Sequence, residues 1–132
     1  MSLLHEVFIW WNGQTMGTRF YTWRKGRLVG SDPQGNRYYE AKDGESIGGY
    51  VRRWVIYDGL AEASRVPPEW HGWLHHTFDV PPTEDGYVPR EWEQPHVPNL
   101  TGTARAWRPQ GSLHKGASRP GATGDYQAWR PE

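Results

Sequence analysis

The chain has 132 residues and a mass of 15.3 kDa, which is room for one small domain and little more, so two full domains are excluded. Fifteen Lys+Arg balance fifteen Asp+Glu, so no net field over the chain draws phosphates, and a general nucleic-acid binder is not expected. The mean hydropathy is −0.88, with no run approaching the about 20 apolar residues of a membrane span, and the lack of cysteine removes disulfides, thiolate metal sites and a Cys nucleophile together. Met1 to Glu6 has no basic stretch leading into an apolar core, so a secretory signal is not expected. Aromatic residues make up 14% of the chain and nine of them are Trp, against two Met. A self-contained core is built mostly of aliphatics, whereas Trp, Tyr and Arg concentrate binding energy at interfaces, so the composition leans towards an interaction protein.

Leu3, Leu4, Val7, Phe8 and Trp11 fall on one apolar stripe at helical spacing, with Ser2 as a cap and Asn12-Gly13 as a left-handed stop. This predicts a short N-terminal helix, docked on its own domain, on a partner or on a membrane surface. Residues 1–17 form this helix and its connector. Residues 18–57 predict an antiparallel β-meander of three or four short strands, because aromatic and β-branched runs alternate with turn chemistry. The runs are Thr18 to Arg24, Arg27 to Ser31, Arg37 to Ala41 and Arg52 to Tyr57, and the turn Asp32-Pro33-Gln34-Gly35-Asn36 is the clearest break. In the last run Arg53, Val55 and Tyr57 share one face and Arg52, Trp54 and Ile56 the other, which predicts cover on both sides of the sheet.

Val66 to His76 predicts a short helix opened by Pro67-Pro68 with Glu69 in its first turn. Trp70, Trp73 and Leu74 share one face, whose first expected role is to cover the small sheet. Residues 18–80 thus form a small α+β domain. Residues 81–132 hold eight Pro and six Gly but only Val88, Val97, Leu100 and Leu113 as aliphatics. Ordering them costs roughly 1–2 kcal/mol of backbone entropy per residue, which packing within the segment cannot return. A long extended tail follows, either free or held by a neighbour. Recurrent rings favour the second, because a ring buried in a partner groove returns about 3–5 kcal/mol. The candidate partner-contact residues are Trp70, Trp73, Tyr87, Trp92, Asn99, Trp107, Tyr126 and Trp129.

Catalytic signals are sparse. His71 and His75 have metal-ligand spacing and His76 adjoins them, yet no third ligand is identifiable. The serines lack a nucleophile elbow, Gly48-Gly49-Tyr50 matches no phosphate loop, and the carboxylate pairs lie in the coreless tail. No cofactor, metal or small-molecule substrate is expected, and neither is nucleic acid.

The strings Leu28-Val29-Gly30-Ser31-Asp32, Gly35-Asn36-Arg37-Tyr38-Tyr39-Glu40, Arg53-Trp54-Val55-Ile56-Tyr57 and Val66-Pro67-Pro68-Glu69-Trp70-His71 resemble one family. It is the alpha-subcomplex subunit twelve family of respiratory complex I, NADH:ubiquinone oxidoreductase. Pro81-Pro82-Thr83, Pro98-Asn99-Leu100-Thr101-Gly102-Thr103 and Asp125-Tyr126-Gln127-Ala128-Trp129 are similar to its later signatures in the same order. The resemblance implies a non-catalytic accessory subunit bracing the hydrophilic arm against core subunits of the iron-sulfur and quinone modules. It also implies a peripheral place on the cytoplasmic face of an alphaproteobacterial inner membrane, equivalent to the mitochondrial matrix side. A paralogous assembly factor shares the early motifs, and a free Trp-rich module for proline-rich peptides is the rival from another class.

Overall fold

The computed structural model describes residues 13–44, 46–86, 88–126 and 128–131. The helix expected over Leu3 to Trp11 lies outside them, as does the candidate contact residue Tyr87. The chain forms two compact units, Met1–Asn99 and Leu100–Glu132.

The first unit is a small α+β domain. A helix, α1, spans Met16–Lys25, and Gly26–Ser31 (β1), Arg37–Ala41 (β2), Ser46–Ile47 (β3), Tyr50–Val51 (β4) and Arg53–Ile56 (β5) follow. A second helix, α2, spans Pro68–Leu74. β1, β2 and β5 pair in that order as an antiparallel sheet, and β3 and β4 form a separate hairpin inserted between β2 and β5. Gly48 and Gly49 turn that hairpin with φ of 63° and 91°, the left-handed pair that a two-residue turn of this hand demands. A bulge between Leu28 and Gly30 shifts the β1–β2 register.

One expectation is corrected. Thr18 to Arg24 reads as a strand from its aromatic and Thr content, yet it lies inside α1. The Thr15 hydroxyl accepts the Thr18 N–H at 3.2 Å and caps the helix, and Arg24 and Lys25 complement the dipole of its last turn. On the sheet side Trp54 Nε1 donates to Thr22 Oγ1 at 3.1 Å and the Tyr21 and Trp54 rings meet at 5.5 Å. Capping and these tertiary contacts outweigh intrinsic β preference. α1 therefore covers one face of the sheet and α2 the other, as the mixed faces of Arg53 to Tyr57 anticipated.

The core lies between the sheet and α2. Tyr38, Trp73 and Trp70 are 0, 1 and 4% exposed, with Val66 beside them. The Tyr38 and Trp70 rings stack at 3.9 Å, and Trp73 meets Trp70 edge-on at 5.5 Å. A Cβ on Gly30 would stand 2.8 Å from the Trp70 ring and 2.7 Å from Thr83 Cγ2, so only glycine lets both reach the strand.

Residues 81–99, expected to begin the tail, belong to the first unit. The reason is polar: His96 Nε2 donates to the Ser64 carbonyl at 2.8 Å and the Asn99 N–H donates to Ser64 Oγ at 3.0 Å. Both bonds satisfy groups of the short 3-10 turn Ala63–Arg65. Among its described residues the second unit has one 3-10 turn, Leu113–Lys115, and neither strand nor α-helix.

Candidate interaction surface

Among the described residues of the first unit, Asp32, Asn36 and Arg53 hold its own turns and helix ends. Asp32 accepts the Gln34 and Asn36 N–H groups at 2.8 and 3.0 Å, the Asn36 side-chain amide at 2.8 Å and the Tyr38 hydroxyl at 2.8 Å. Asn36 in turn accepts the Asp58 N–H at 3.1 Å. This closes the β1–β2 turn over the core, and burial together with the bond to Asp32 pushes the Tyr38 phenol well above its ordinary range. Arg53 lies over the Trp73 ring, 4.6 Å from its centroid, and donates to the carbonyls of Trp73 and Phe78 at 2.7 and 3.2 Å and to Asp79 at 3.0 Å. A guanidinium thereby meets the C-terminal end of α2, where the dipole favours a cation.

Trp70 and Trp73, expected as partner contacts, are buried within the first unit: Tyr38, Val66 and Arg53 surround them, and little ring surface is exposed. Asn99 is exposed at the junction of the two units, held through its backbone by Ser64. The remaining described candidates face outward. Trp92, Trp107, Tyr126 and Trp129 are 70, 85, 87 and 80% exposed. Arg90 lies 5.7 Å from the Trp92 ring centroid, and Trp107 has Arg108 as its chain neighbour. Within the second unit Arg119 binds both carboxylate oxygens of Asp125, one of them at 3.0 Å. The Ala122 N–H donates to the same carboxylate at 2.7 Å. The Arg119 bonds first, and then the Ala122 N–H, hold this carboxyl below the usual range. That clasp fixes a turn just ahead of Tyr126 and leaves the rings unpacked.

His71 and His75 lie with ring centroids 4.1 Å apart. Among the described residues no group of three His, Cys, Asp or Glu stands close enough to hold a metal ion. A cleft of about 400 Å³ runs beside α2, lined among others by Pro33, Pro67, Trp70, Pro82, Pro89 and Pro95. Five prolines of the chain itself line it together with Glu69, Asp85 and the buried Trp70, whereas a groove for proline-rich peptides is floored by exposed rings.

Sequence reasoning missed one surface. Met16, Phe20 and Trp23, at i, i+4 and i+7 of α1, point away from the sheet and are 47, 61 and 72% exposed. Their helical spacing and the Thr15 cap were visible in the sequence, but the run of aromatic and Thr residues between them has the stronger look of a strand.

A small domain in which Asp32, Asn36 and Arg53 secure its own turns and helix ends, followed by a segment that leaves its rings outward, is the anatomy of an interaction subunit. Residues 26–131 match the family described as NADH ubiquinone oxidoreductase subunit NDUFA12. The NADH dehydrogenase [ubiquinone] 1 alpha subcomplex subunit 12 of Dictyostelium discoideum is 38% identical over 104 residues, 76% of this chain and 73% of that protein. The protein of the same description from Bos taurus is 41% identical over 103 residues, covering 70% and 68%. A protein of Rickettsia prowazekii, an alphaproteobacterium, is 36% identical over 94 residues, covering 71% and 79%. The chain belongs to the NDUFA12 family of non-catalytic accessory subunits of respiratory complex I. Among the described residues no helix is long and apolar enough to cross a membrane.

Proposed function

We propose that this chain is a resident structural subunit that braces the hydrophilic arm of complex I, with its first unit as an anchor and its second as a strap across neighbouring core subunits. The neighbours are those of the iron-sulfur and quinone modules, on the cytoplasmic face of a bacterial inner membrane or the matrix side in mitochondria. The observation that carries this reading is the set of outward rings Trp107, Tyr126 and Trp129 on backbone with almost no regular structure, with Trp92 outward ahead of them in the first unit. Rings left in water are costly to the isolated chain and become anchors once a partner groove covers them. A chain that binds only the assembled arm stabilises it by mass action. It carries no electrons itself.

Truncation after Asn99 in the native complex tests this. The expected result is a lower yield of intact complex and a lower tolerance of heat and detergent, with unchanged turnover per assembled complex. Loss of a single anchor worth about 2 kcal/mol corresponds to roughly 30-fold in affinity. An undiminished yield would remove the strap, and absence of the chain from purified active complex would make it an assembly factor instead.

A further inference from the structure

Helix α1 is amphipathic in a sense opposite to what covering a sheet requires. Its inner side carries Tyr21, Thr22 and Lys25, with Thr22 bonded to Trp54 and Lys25 paired with Asp43. Its outer side carries the apolar ridge of Met16, Phe20 and Trp23, in which the Phe20 and Trp23 rings meet at 5.8 Å. Helical geometry sets Arg19 on one flank of the ridge and Arg24 on the other, and both are exposed. Exposed Leu28 prolongs the ridge beyond the helix end. There a shallow groove is lined by Arg19, Trp23, Leu28, Arg37 and Tyr39, with no carboxylate in its wall. The sequence holds no Asp or Glu at all between Glu6 and Asp32. With Asp43 taken by Lys25 and Glu40 by Arg27, the described residues around this apolar ridge carry more cations than carboxylates, in a chain that is neutral overall.

We propose that α1 and Leu28 seat this chain on an anionic lipid surface, with Phe20 and Trp23 entering the boundary between headgroups and acyl chains and Arg24 and Arg37 meeting lipid phosphates. An apolar stripe with guanidinium groups beside it is the arrangement by which a helix lies in a membrane interface. The ridge projects outward, so a protein partner would need a matching trough rimmed with carboxylates. A bilayer needs only negative headgroups. The surface is distinct from the ring-bearing second unit and does not depend on which complex the chain enters.

The test uses the full chain, pelleted with vesicles of phosphatidylcholine alone or with about a third of the lipid replaced by phosphatidylglycerol. Binding to the anionic vesicles is expected to be at least about tenfold stronger, because each arginine near such a surface adds about a further fivefold at low salt. Molar salt should abolish the difference. The F20S/W23S double variant should lose binding with an unchanged thermal midpoint, since both rings lie outside the core. The R24Q/R37Q variant should lose the anionic preference while keeping whatever affinity it has for the neutral vesicles. Equal binding to both lipids, or binding retained by F20S/W23S, overturns the proposal. So does lipid indifference combined with F20S/W23S-sensitive binding to a purified neighbouring subunit, which would assign the ridge to a protein groove.

Discussion

The two units use the same kind of side chain to opposite ends. In the first, Trp70 and Trp73 are sealed between a three-stranded sheet and a helix of seven residues. In the second, Trp107, Tyr126 and Trp129 stand in water. Hydrophobicity does not distinguish them. The first unit brings Tyr38, Val55 and Val66 to the rings from strands and turns far apart in sequence. The second has Leu100 and Leu113 as its larger aliphatics and no strand among its described residues to bring an opposite wall to its rings. Large rings build a core only where backbone pairing supplies an opposite wall, and elsewhere they are offered to someone else's.

The sharpest way to break this contrast is at the sealed rings. Trp73→Ala is expected to cost about 3–5 kcal/mol, comparable to the whole stability of so small a domain, so urea titration of the isolated chain should find it largely unfolded. A loss below about 1 kcal/mol would mean that the core lies elsewhere. Next comes the turn that closes over it. Asp32→Ala leaves the buried Tyr38 hydroxyl and the Asn36 amide short of an acceptor, and the same titration should read a loss of about 1–3 kcal/mol.

The elements readable from sequence were those with punctuation. Asp32-Pro33-Gln34-Gly35-Asn36 marked the β1–β2 turn, and Pro67-Pro68 ahead of Glu69 marked α2 with its buried face. What escaped had no local signature. β3 and β4 are two residues each, too short for any periodicity. α1 presents aromatic and Thr residues on several faces because it lies on a sheet with one side and leaves the other uncovered. The attachment of residues 81–99 rests on the Ser64 carbonyl and hydroxyl meeting His96 and a backbone N–H, and no pattern of apolar residues announces such a contact. The candidate contacts divided the same way. Trp92, Trp107, Tyr126 and Trp129 are exposed in a segment whose composition precluded a core, whereas Trp70 and Trp73 followed their helical spacing inward.

The stacked pair also responds to pH. The Tyr38 phenol has a raised pKa in the folded chain, chiefly from burial and then from the bond to Asp32. The unfolded chain deprotonates near pH 10, about the ordinary value for tyrosine. Below that pH both states are protonated and the stabilisation from this group is fully present; as pH rises from there towards the folded value, the unfolded state alone loses protons and stability falls. Urea midpoints should therefore decline above about pH 10 in the wild type and decline less steeply in Tyr38→Phe. Parallel slopes would mean that the phenol is reached by water and that the ring stack is looser than 3.9 Å implies.

The smallest expected effect tests the other side of the contrast most directly. Trp107→Ala removes as many atoms as Trp73→Ala, so if ring size governed stability the two would cost alike. Exposure governs instead: an alanine at 107 leaves no cavity and unpairs no buried group, and the isolated chain should change by no more than about 0.5 kcal/mol. A loss above about 1 kcal/mol would show that the indole is already packed within its own unit. The second unit would then have a core of its own, and the energy assigned to a waiting partner would have been spent before any partner arrived.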